Sequence, residues 1–281
     1  SELGSLVSQK TDDMLRQYNL EHSAGGPLAI LTDSGSDLPQ ELIDSLGIDV
    51  VPLNIVIGWH SYLDRVELST KQFFALDGKK STAQPSVGVV KQRLETLLEK
   101  YEKVLIISLA SALSGTYQSF QQAIALIKAE DRVMLIDSKQ NSVALGLMVL
   151  NAARALVAGE PVEKIKATAE AQADKAHIYV ALDKLESMVK SGRVKPNLAQ
   201  ILEFVSAKPV VTLDEKGAGD MAMIGFGRKN QFNKLMKIIE NDHKKRKIQQ
   251  YALIFTDNEN VIRPYLDRLR KLTGLEPVFI K

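Results

Sequence analysis

The pattern of apolar and polar residues alternates along most of the chain between short apolar runs and amphipathic segments. Residues 104–107 predict a buried strand, because four apolar residues stand together and three of them are β-branched. The loop 108–116 that follows is rich in Ser and Gly, and residues 117–128 predict a helix. Such a loop suits an oxygen-rich ligand, because small residues admit it and a helix start offers unpaired amides. Plain capping of the helix by the same hydroxyls explains the pattern about equally well.

Further apolar runs repeat this alternation through the first half of the chain. Strands are predicted at 28–31, 48–57, 104–107 and 133–136, and helices at 38–46, 69–76, 87–100, 117–128 and 142–158. Pro52 indicates a break or an edge within the second strand region. We expect Asp37 to cap the first helix and Gly47 to end it. Residues 58–66 and 80–86 are predicted to be loops. Strands that alternate with helices predict an α/β domain with a parallel, doubly wound sheet.

The pattern changes after the segment Gly159-Glu160-Pro161. Residues 209–213 and 221–226 predict a β-hairpin with the turn 214–220 between them. Other helices are predicted at 162–173, 183–190, 196–205, 230–240 and 260–272, and other strands at 178–182, 251–255 and 277–280. We therefore expect a helical extension or linker at 1–26, the α/β domain at 27–159, and an α+β domain with a mixed or antiparallel sheet at 160–281.

Composition narrows the class of protein. The 281 residues are 45% hydrophobic and 25% charged, which is typical of a globular protein, and the net charge of +2 gives no reason to expect a nucleic-acid surface. The absence of cysteine excludes disulfides and thiolate chemistry, and the four histidines have no spacing typical of a zinc site. No apolar run has membrane-spanning length and no secretory leader is visible, so we expect a cytoplasmic protein.

Ligands of doubly wound sheets bind beyond the carboxyl ends of the strands, where polar loops are predicted here. Asp33, Asp37 and Asp137 lie in these loops, and carboxylates suit Mg²⁺. Turn and capping chemistry explains the same Asp-Ser pairs, and we favour this interpretation over a metal site. The common phosphate-binding and nucleophile-elbow motifs are absent. The residues alone predict a binder of a small oxygenated ligand, with a magnesium-dependent phosphotransferase or hydrolase as the alternative.

Several motifs occur together and in order along the chain. They are Leu31-Thr32-Asp33-Ser34, Asp37-Leu38-Pro39, Val51-Pro52-Leu53, Tyr62-Leu63-Asp64, Thr82-Ala83-Gln84-Pro85-Ser86, Leu113-Ser114-Gly115-Thr116-Tyr117-Gln118-Ser119, Ile136-Asp137-Ser138 and Ser191-Gly192-Arg193-Val194. In combination they resemble the DegV family, the fatty-acid-binding subunits of bacterial fatty acid kinase, from about Leu28 to the end of the chain. The resemblance implies a two-domain lipid-binding protein that buries an acyl chain in a tunnel.

The resemblance also implies roles for individual residues. Thr82 and Ser114 match the two hydroxyl residues that hold the fatty-acid carboxyl group in the family. Arg193 and Arg228 match arginines implied to contact phosphate or a partner. Ser34 and Gly115 are expected near the head group. The implied function is to present the carboxyl group to a separate kinase subunit for acyl-phosphate formation, with transient membrane contact, no catalysis, no cofactor and no metal of its own.

Two positions depart from the family pattern. Ala83 stands where a serine is common, and Thr256 stands where many kinase-associated members carry a histidine. The missing histidine puts acyl-phosphate handling in doubt but leaves fatty-acid binding intact. Some members are fused behind a kinase-like domain. A chain that begins Ser-Glu-Leu, without an initiator Met, is compatible with being the C-terminal part of such a fusion.

Overall fold

The computed structural model describes residues 25–193, 207–256 and 258–281. The chain divides into two compact units after Lys175. The strands of the first unit are β1 (Gly26–Asp33), β2 (Asp49–Val51), β3 (Asn54–Ile57), β4 (His60–Leu63), β5 (Lys80–Ala83), β6 (Tyr101–Ser108) and β7 (Val133–Asp137). Its helices are α1 (Gln40–Leu46), α2 (Thr70–Ala75), α3 (Val87–Leu98), α4 (Thr116–Ile127), α5 (Ser142–Val157) and α6 (Val162–Ala173).

A parallel sheet with the strand order β2-β1-β6-β7 forms the centre of the first unit. Successive residues of a strand point to opposite faces, and both faces of β1 and β6 are buried. One face packs with α3 and α4 in a cluster that includes Leu31, Ile106 and Phe120. On the other side, α5 contacts β1 and β6. The predicted parallel, doubly wound arrangement is confirmed.

A second, antiparallel sheet with the order β4-β3-β5 also belongs to the first unit. The predicted strand at 48–57 is broken at Pro52, so that β2 joins the parallel sheet and β3 joins this one. The predicted loops at 58–66 and 80–86 were wrong in part, because each contains a strand, β4 and β5. Both are short and largely exposed, and they are held by pairing with β3, whose Ile55 and Ile57 form a small core with Leu68.

Asp37 does not cap α1 as expected. Pro39 occupies the cap position, and Asp37 ends the preceding 3₁₀ turn, Ser34–Ser36, with a left-handed φ of 51°. Aspartate adopts this conformation more readily than most residues, because its short side chain can bond to nearby groups. Gly47 ends α1 with φ 61°, as predicted.

The second unit contains a three-stranded antiparallel sheet, which confirms the predicted hairpin and the α+β class. Its strands are β8 (Val180–Ala181), β9 (Ala207–Leu213) and β10 (Gly219–Phe226), and its helices are α7 (Glu186–Lys190), α8 (Arg228–Lys245) and α9 (Arg263–Thr273). The segments predicted as strands at 251–255 and 277–280 run side by side, yet regular pairing is limited to a bridge between Leu253 and Ile280. The helix predicted at 196–205 lies outside the described residues, and so do residues 1–24 of the predicted N-terminal extension or linker.

The division after Lys175 falls later than the boundary expected near Gly159. The reason is α6, which packs against α5 and β7 and buries Ile165, Ala169 and Ala173. The turn at Gly159 therefore connects two helices of the first unit. In the parts of the chain that the structure describes, we find no helix with the length and apolar character needed to cross a bilayer.

Candidate functional site

Polar loops follow β1, β6 and β7 at the carboxyl end of the parallel sheet, and the carboxylates of Asp33 and Asp137 connect them by hydrogen bonds. Asp33, the last residue of β1, is fully buried. One carboxylate oxygen accepts hydrogen bonds from the Leu109 amide (2.9 Å) and the Ser108 hydroxyl (3.3 Å), and the other accepts from the Gly35 amide (3.0 Å). Burial nevertheless raises the pKa of Asp33 to about 6, because desolvation of the charged form outweighs these bonds.

Asp137 makes the corresponding link between the loops after β6 and β7. Its carboxylate accepts hydrogen bonds from the Ser111 amide (3.2 Å), the Ser111 hydroxyl and the Lys139 amide (3.0 Å). The loop that leads from β6 to α4 is thus held from both sides, by Asp33 and by Asp137. These bonds give the Ser- and Gly-rich loop a defined shape.

The third acidic candidate, Asp37, is engaged elsewhere. It accepts hydrogen bonds from Arg65 (2.6 Å) and from the Ser142 hydroxyl at the start of α5 (2.7 Å). The carboxylates of Asp33, Asp37 and Asp137 therefore each accept hydrogen bonds from a different set of donors. Across residues 25–193, 207–256 and 258–281, no three His, Asp or Glu side chains come together as a metal cluster would require. The magnesium-dependent alternative is not favoured by this geometry.

Ser114 lies at the start of α4 and is half-buried. Its hydroxyl oxygen accepts a hydrogen bond from the Thr116 amide (3.2 Å) and lies 2.8 Å from the Thr116 hydroxyl. Gly115 occupies the cap position without a side-chain bond. The Ser114 hydroxyl thus accepts from the first backbone amide of α4, in agreement with the capping interpretation. The same oxygen lies at the positive end of the α4 dipole, where an anion is stabilised.

Gln84 connects the loop after β5 to this helix start. Its side-chain amide donates to the Ser119 hydroxyl on α4 (3.1 Å). A Cβ atom added to Gly115 would lie only 1.6 Å from the Gln84 side-chain oxygen, so the glutamine rests directly on the glycine. Asn54 fixes the same loop by donating to the Gln84 carbonyl (2.9 Å). The contact joins the motif that contains Thr82 to the motif that contains Ser114.

Thr82 and Ser34 complete the set of predicted head-group residues. Thr82 is exposed and pairs with Ile55 across the small antiparallel sheet, so both side chains lie on the same face. It stands two residues before Gln84. Ser34 is buried, and its hydroxyl oxygen accepts a hydrogen bond from the Leu53 amide (3.0 Å). Ser34 therefore fixes the turn after β2, and its predicted proximity to a head group stays a prediction.

Sequence reasoning assigned no function to Gln84, although it stands inside the Thr-Ala-Gln-Pro-Ser motif. Its importance comes from a contact with Gly115, 31 positions away in the chain. The available signals were Gly115 at a helix start in one motif and the long side chain of Gln84 in the other. Without the fold, nothing in the sequence shows that these two residues are in contact.

The two arginine candidates belong to the second unit. The Arg193 amide donates to the Met188 carbonyl just after α7 (3.1 Å). Arg228 begins α8, and its exposed guanidinium lies 2.9 Å from the Asp183 carboxylate. Lys208 contacts the same carboxylate at 3.0 Å. The predicted roles of Arg193 and Arg228 toward phosphate or a partner stay predictions.

Fold and site together define an α/β protein whose strand-end loops carry hydroxyl groups beside a helix start. The family model described as an uncharacterised protein of the DegV family matches residues 27–280. A DegV domain-containing protein of Caldanaerobacter subterraneus is 32% identical over 248 residues, which cover 86% of this chain and 87% of the relative. The chain belongs to the DegV family.

Solved structures of the family share the fold. A DegV family protein from Thermus thermophilus, described by its fatty-acid binding, is 26% identical with a TM-score of 0.78, and the match covers 90% of this chain and 91% of that one. A stearic-acid-binding protein from Eubacterium ventriosum has a TM-score of 0.81 at 20% identity and covers 90% of this chain and 89% of its own, a likeness of fold alone. The predicted fold class is confirmed, and fatty-acid-binding DegV proteins are structural neighbours of this chain.

Proposed function

We propose that this protein binds a long-chain fatty acid in a buried tunnel and holds its carboxyl group with the hydroxyls of Thr82 and Ser114. The observation that carries the proposal is the contact of Gln84 with Gly115 and Ser119, which joins the two hydroxyl-bearing motifs. The fatty-acid binding described for the Thermus thermophilus relative supports the choice of ligand.

The physical chemistry of a fatty acid fits a site without a dedicated cation. Burying about fourteen methylenes at roughly 0.8 kcal/mol each contributes on the order of 11 kcal/mol before ordering costs. The head group then needs orientation more than additional affinity. Hydroxyls can donate to a carboxylate or pair with the neutral acid, and the hydrogen bonds to the charged form are the stronger ones. At Ser114 the start of α4 adds a favourable potential for the anion.

The second part of the proposal concerns the bound carboxyl group. The protein presents it to a kinase, either a separate subunit or a fused kinase-like domain, which forms the acyl phosphate. Arginine suits the added phosphate charge, and the proposed contacts are the exposed guanidinium of Arg228 and Arg193 of the Ser-Gly-Arg-Val motif. The protein itself acts as a carrier in this scheme and performs no catalytic step.

The binding step is tested with purified protein. Native mass spectrometry should detect a long-chain fatty acid in complex with the chain. The double variant Thr82→Ala/Ser114→Ala should lose roughly tenfold in affinity, the effect of two modest hydrogen bonds. Ser81→Ala is the matched control, because Ser81 is an exposed hydroxyl on the same strand, on the opposite face from Thr82. A delipidated protein that takes up no fatty acid would contradict the proposal.

The carrier role is tested by adding a fatty acid kinase and ATP. The loaded protein should then yield acyl phosphate, whereas the chain with ATP alone should yield none. Acyl-phosphate turnover by the isolated chain that EDTA abolishes would contradict the carrier role and support a magnesium-dependent enzyme. An unchanged affinity in the Thr82→Ala/Ser114→Ala variant would place the head group elsewhere.

A further inference from the structure

The side chain of Thr116 is completely buried at the first position of α4, next to Ser114. Thr116 is 0% exposed, so its hydroxyl is out of reach of bulk water. Within the described residues, this hydroxyl has one hydrogen-bonding neighbour, the Ser114 hydroxyl oxygen at 2.8 Å. A buried hydroxyl has to find its partner inside the protein, because an unpaired buried donor is costly. The two hydroxyls therefore depend on each other.

The burial of Thr116 decides which of the two hydroxyls is the donor. By distance alone, either oxygen is placed to donate to the other. If Ser114 donated, the Thr116 proton would find no acceptor in the described part of the chain. If Thr116 donates, both hydroxyls are satisfied, because Ser114 is only half-buried and its own proton keeps access to water or a ligand. Thr116 is therefore the donor of the pair.

A second hydrogen bond from Thr116 occupies the remaining lone pair of the Ser114 hydroxyl. The Thr116 amide donates to the same oxygen at 3.2 Å. A serine hydroxyl has one proton to donate and two lone pairs that accept. With both lone pairs occupied by donors of Thr116, the Ser114 hydroxyl can only donate. A serine without such a neighbour would pair with a donor or an acceptor alike.

We propose that Thr116 is a positioning residue that makes Ser114 a donor only, so that the site selects an ionised carboxylate over head groups that carry a proton. This role rests on the proposed function, in which Ser114 holds the head group of the fatty acid. A carboxylate has acceptors only, whereas a protonated acid or an alcohol carries a proton that itself needs an acceptor. The Ser114 oxygen has no lone pair left for that proton.

The start of α4 strengthens a bond from Ser114 to an anion in particular. Hydrogen bonds to an ionised acceptor are shorter and stronger than those between neutral groups. Hydroxyls that donate in one direction, from Thr116 to Ser114 and on to the carboxylate, also polarise one another. The positive end of the α4 dipole lies at the same place. An uncharged head group gains much less from each of these effects.

Two probes with the same chain length, hexadecanoic acid and hexadecan-1-ol, test this role in titrations of delipidated protein at neutral pH. The wild type should bind the acid at least about tenfold more tightly, because only the acid forms the charge-assisted bond. Thr116→Val keeps the shape of the side chain but removes its hydroxyl, so the Ser114 oxygen regains a free lone pair. The preference for the acid should then fall to about threefold or less, as acid affinity falls and alcohol affinity rises.

Two further variants separate this role from ordinary packing. Thr116→Ser keeps a hydroxyl donor and loses a methyl group, so it should restore the preference for the acid although the protein is less stable. Thr32→Val is the matched control, because Thr32 is also 0% exposed and its hydroxyl donates to the Ile107 carbonyl inside the sheet (2.8 Å). It should lower the free energy of unfolding and leave the ratio of the two affinities unchanged. Urea unfolding of each variant measures its stability.

The possible results distinguish this role from the proposed function itself. If Ser114→Ala loses the preference for the acid while Thr116→Val retains it, the role of Thr116 is overturned and fatty-acid binding at Ser114 stands. A Thr116→Ser variant with as little preference as Thr116→Val would also overturn it, since packing would then explain the loss. A wild type that binds neither probe, or a Ser114→Ala variant with the wild-type preference, would contradict the proposed function and the role of Thr116 with it.

Discussion

At the scale of single residues, the buried carboxylate of Asp33 links two loops of the candidate site although burial disfavours its charged form. Its carboxylate holds the loops after β1 and β6 in register through hydrogen bonds to Leu109, Ser108 and Gly35. Full burial nevertheless raises its pKa to about 6, because the bonds do not replace the lost hydration. The residue that organises the strand ends is thus also one that binds a proton more tightly in the folded protein than in the unfolded chain.

This shift predicts a defined pH dependence of stability. Between about pH 4 and pH 6 the folded state holds a proton on Asp33 that the unfolded state has released, so the free energy of unfolding falls as pH rises. From the ordinary value of 3.8 to about 6, the loss amounts to roughly 3 kcal/mol at most. Urea unfolding of Asp33→Asn from pH 4 to 7 should show a correspondingly smaller decline than the wild type. Equal slopes in the two proteins would contradict the assignment to Asp33.

At the scale of elements, the apolar pattern of the sequence predicted the helices and the strands that carry such a pattern themselves. The buried strands β1, β6 and β7 and the amphipathic helices around them carry strong apolar patterns, and all were predicted, although β1 and β6 are longer than the predicted strands 28–31 and 104–107. β4 and β5 were missed, because short polar strands such as His60–Leu63 carry no such pattern and form by pairing with β3. The position of Thr82 on a strand could not be predicted for the same reason.

The contact between the β5 loop and α4 likewise depends on tertiary structure, and it predicts the effect of a single methyl group. Gly115→Ala should displace Gln84, since the new Cβ would lie 1.6 Å from its side-chain oxygen. The lost hydrogen bond to Ser119 should cost about 1 kcal/mol of stability and weaken fatty-acid binding several-fold. The backbone of Gly115 has φ −70°, so conformational strain does not enter. Thermal unfolding and a fatty-acid binding titration measure the two effects.

Gly88 provides the matched control for this substitution. It lies within α3, and a Cβ there would meet nothing closer than the Ser86 hydroxyl at 3.9 Å. Gly88→Ala should therefore preserve fatty-acid binding and raise stability by up to about 1 kcal/mol through helix propensity. If Gly115→Ala binds fatty acid as well as Gly88→Ala does, the Gln84 contact is not part of the binding site.

At the scale of the whole molecule, the small net charge conceals a separation of charge between the two units. Residues 1–175 carry 17 Lys and Arg against 22 Asp and Glu, whereas residues 176–281 carry 19 against 12. The first unit is thus formally −5 and the second +7. A basic unit attracts anionic ligands, which suits the proposed phosphate contacts of Arg193 and Arg228. The proposed carboxyl-binding hydroxyls, by contrast, belong to the acidic unit, where orientation by hydrogen bonds matters more than attraction.

A bound fatty acid should therefore contribute to the stability of the folded chain mainly through its acyl group. A ligand that binds only the folded state adds about 2.7 kcal/mol at a free concentration one hundred times its Kd. For a protein of this size we expect removal of the fatty acid to lower the Tm by roughly 5 °C or more. Calorimetry of delipidated and reloaded protein measures this difference.

The chemistry of the head group gives that experiment its controls. The methyl ester of the same acid keeps the acyl chain but cannot become an anion, so it should restore less of the lost Tm than the free acid. In Thr82→Ala/Ser114→Ala the advantage of the acid over the ester should shrink, because the hydroxyls that distinguish them are gone. An acid and an ester that stabilise the wild type equally would show that neither hydroxyl recognises the carboxylate. A delipidated protein with an unchanged Tm would show that the folded chain binds no fatty acid at all.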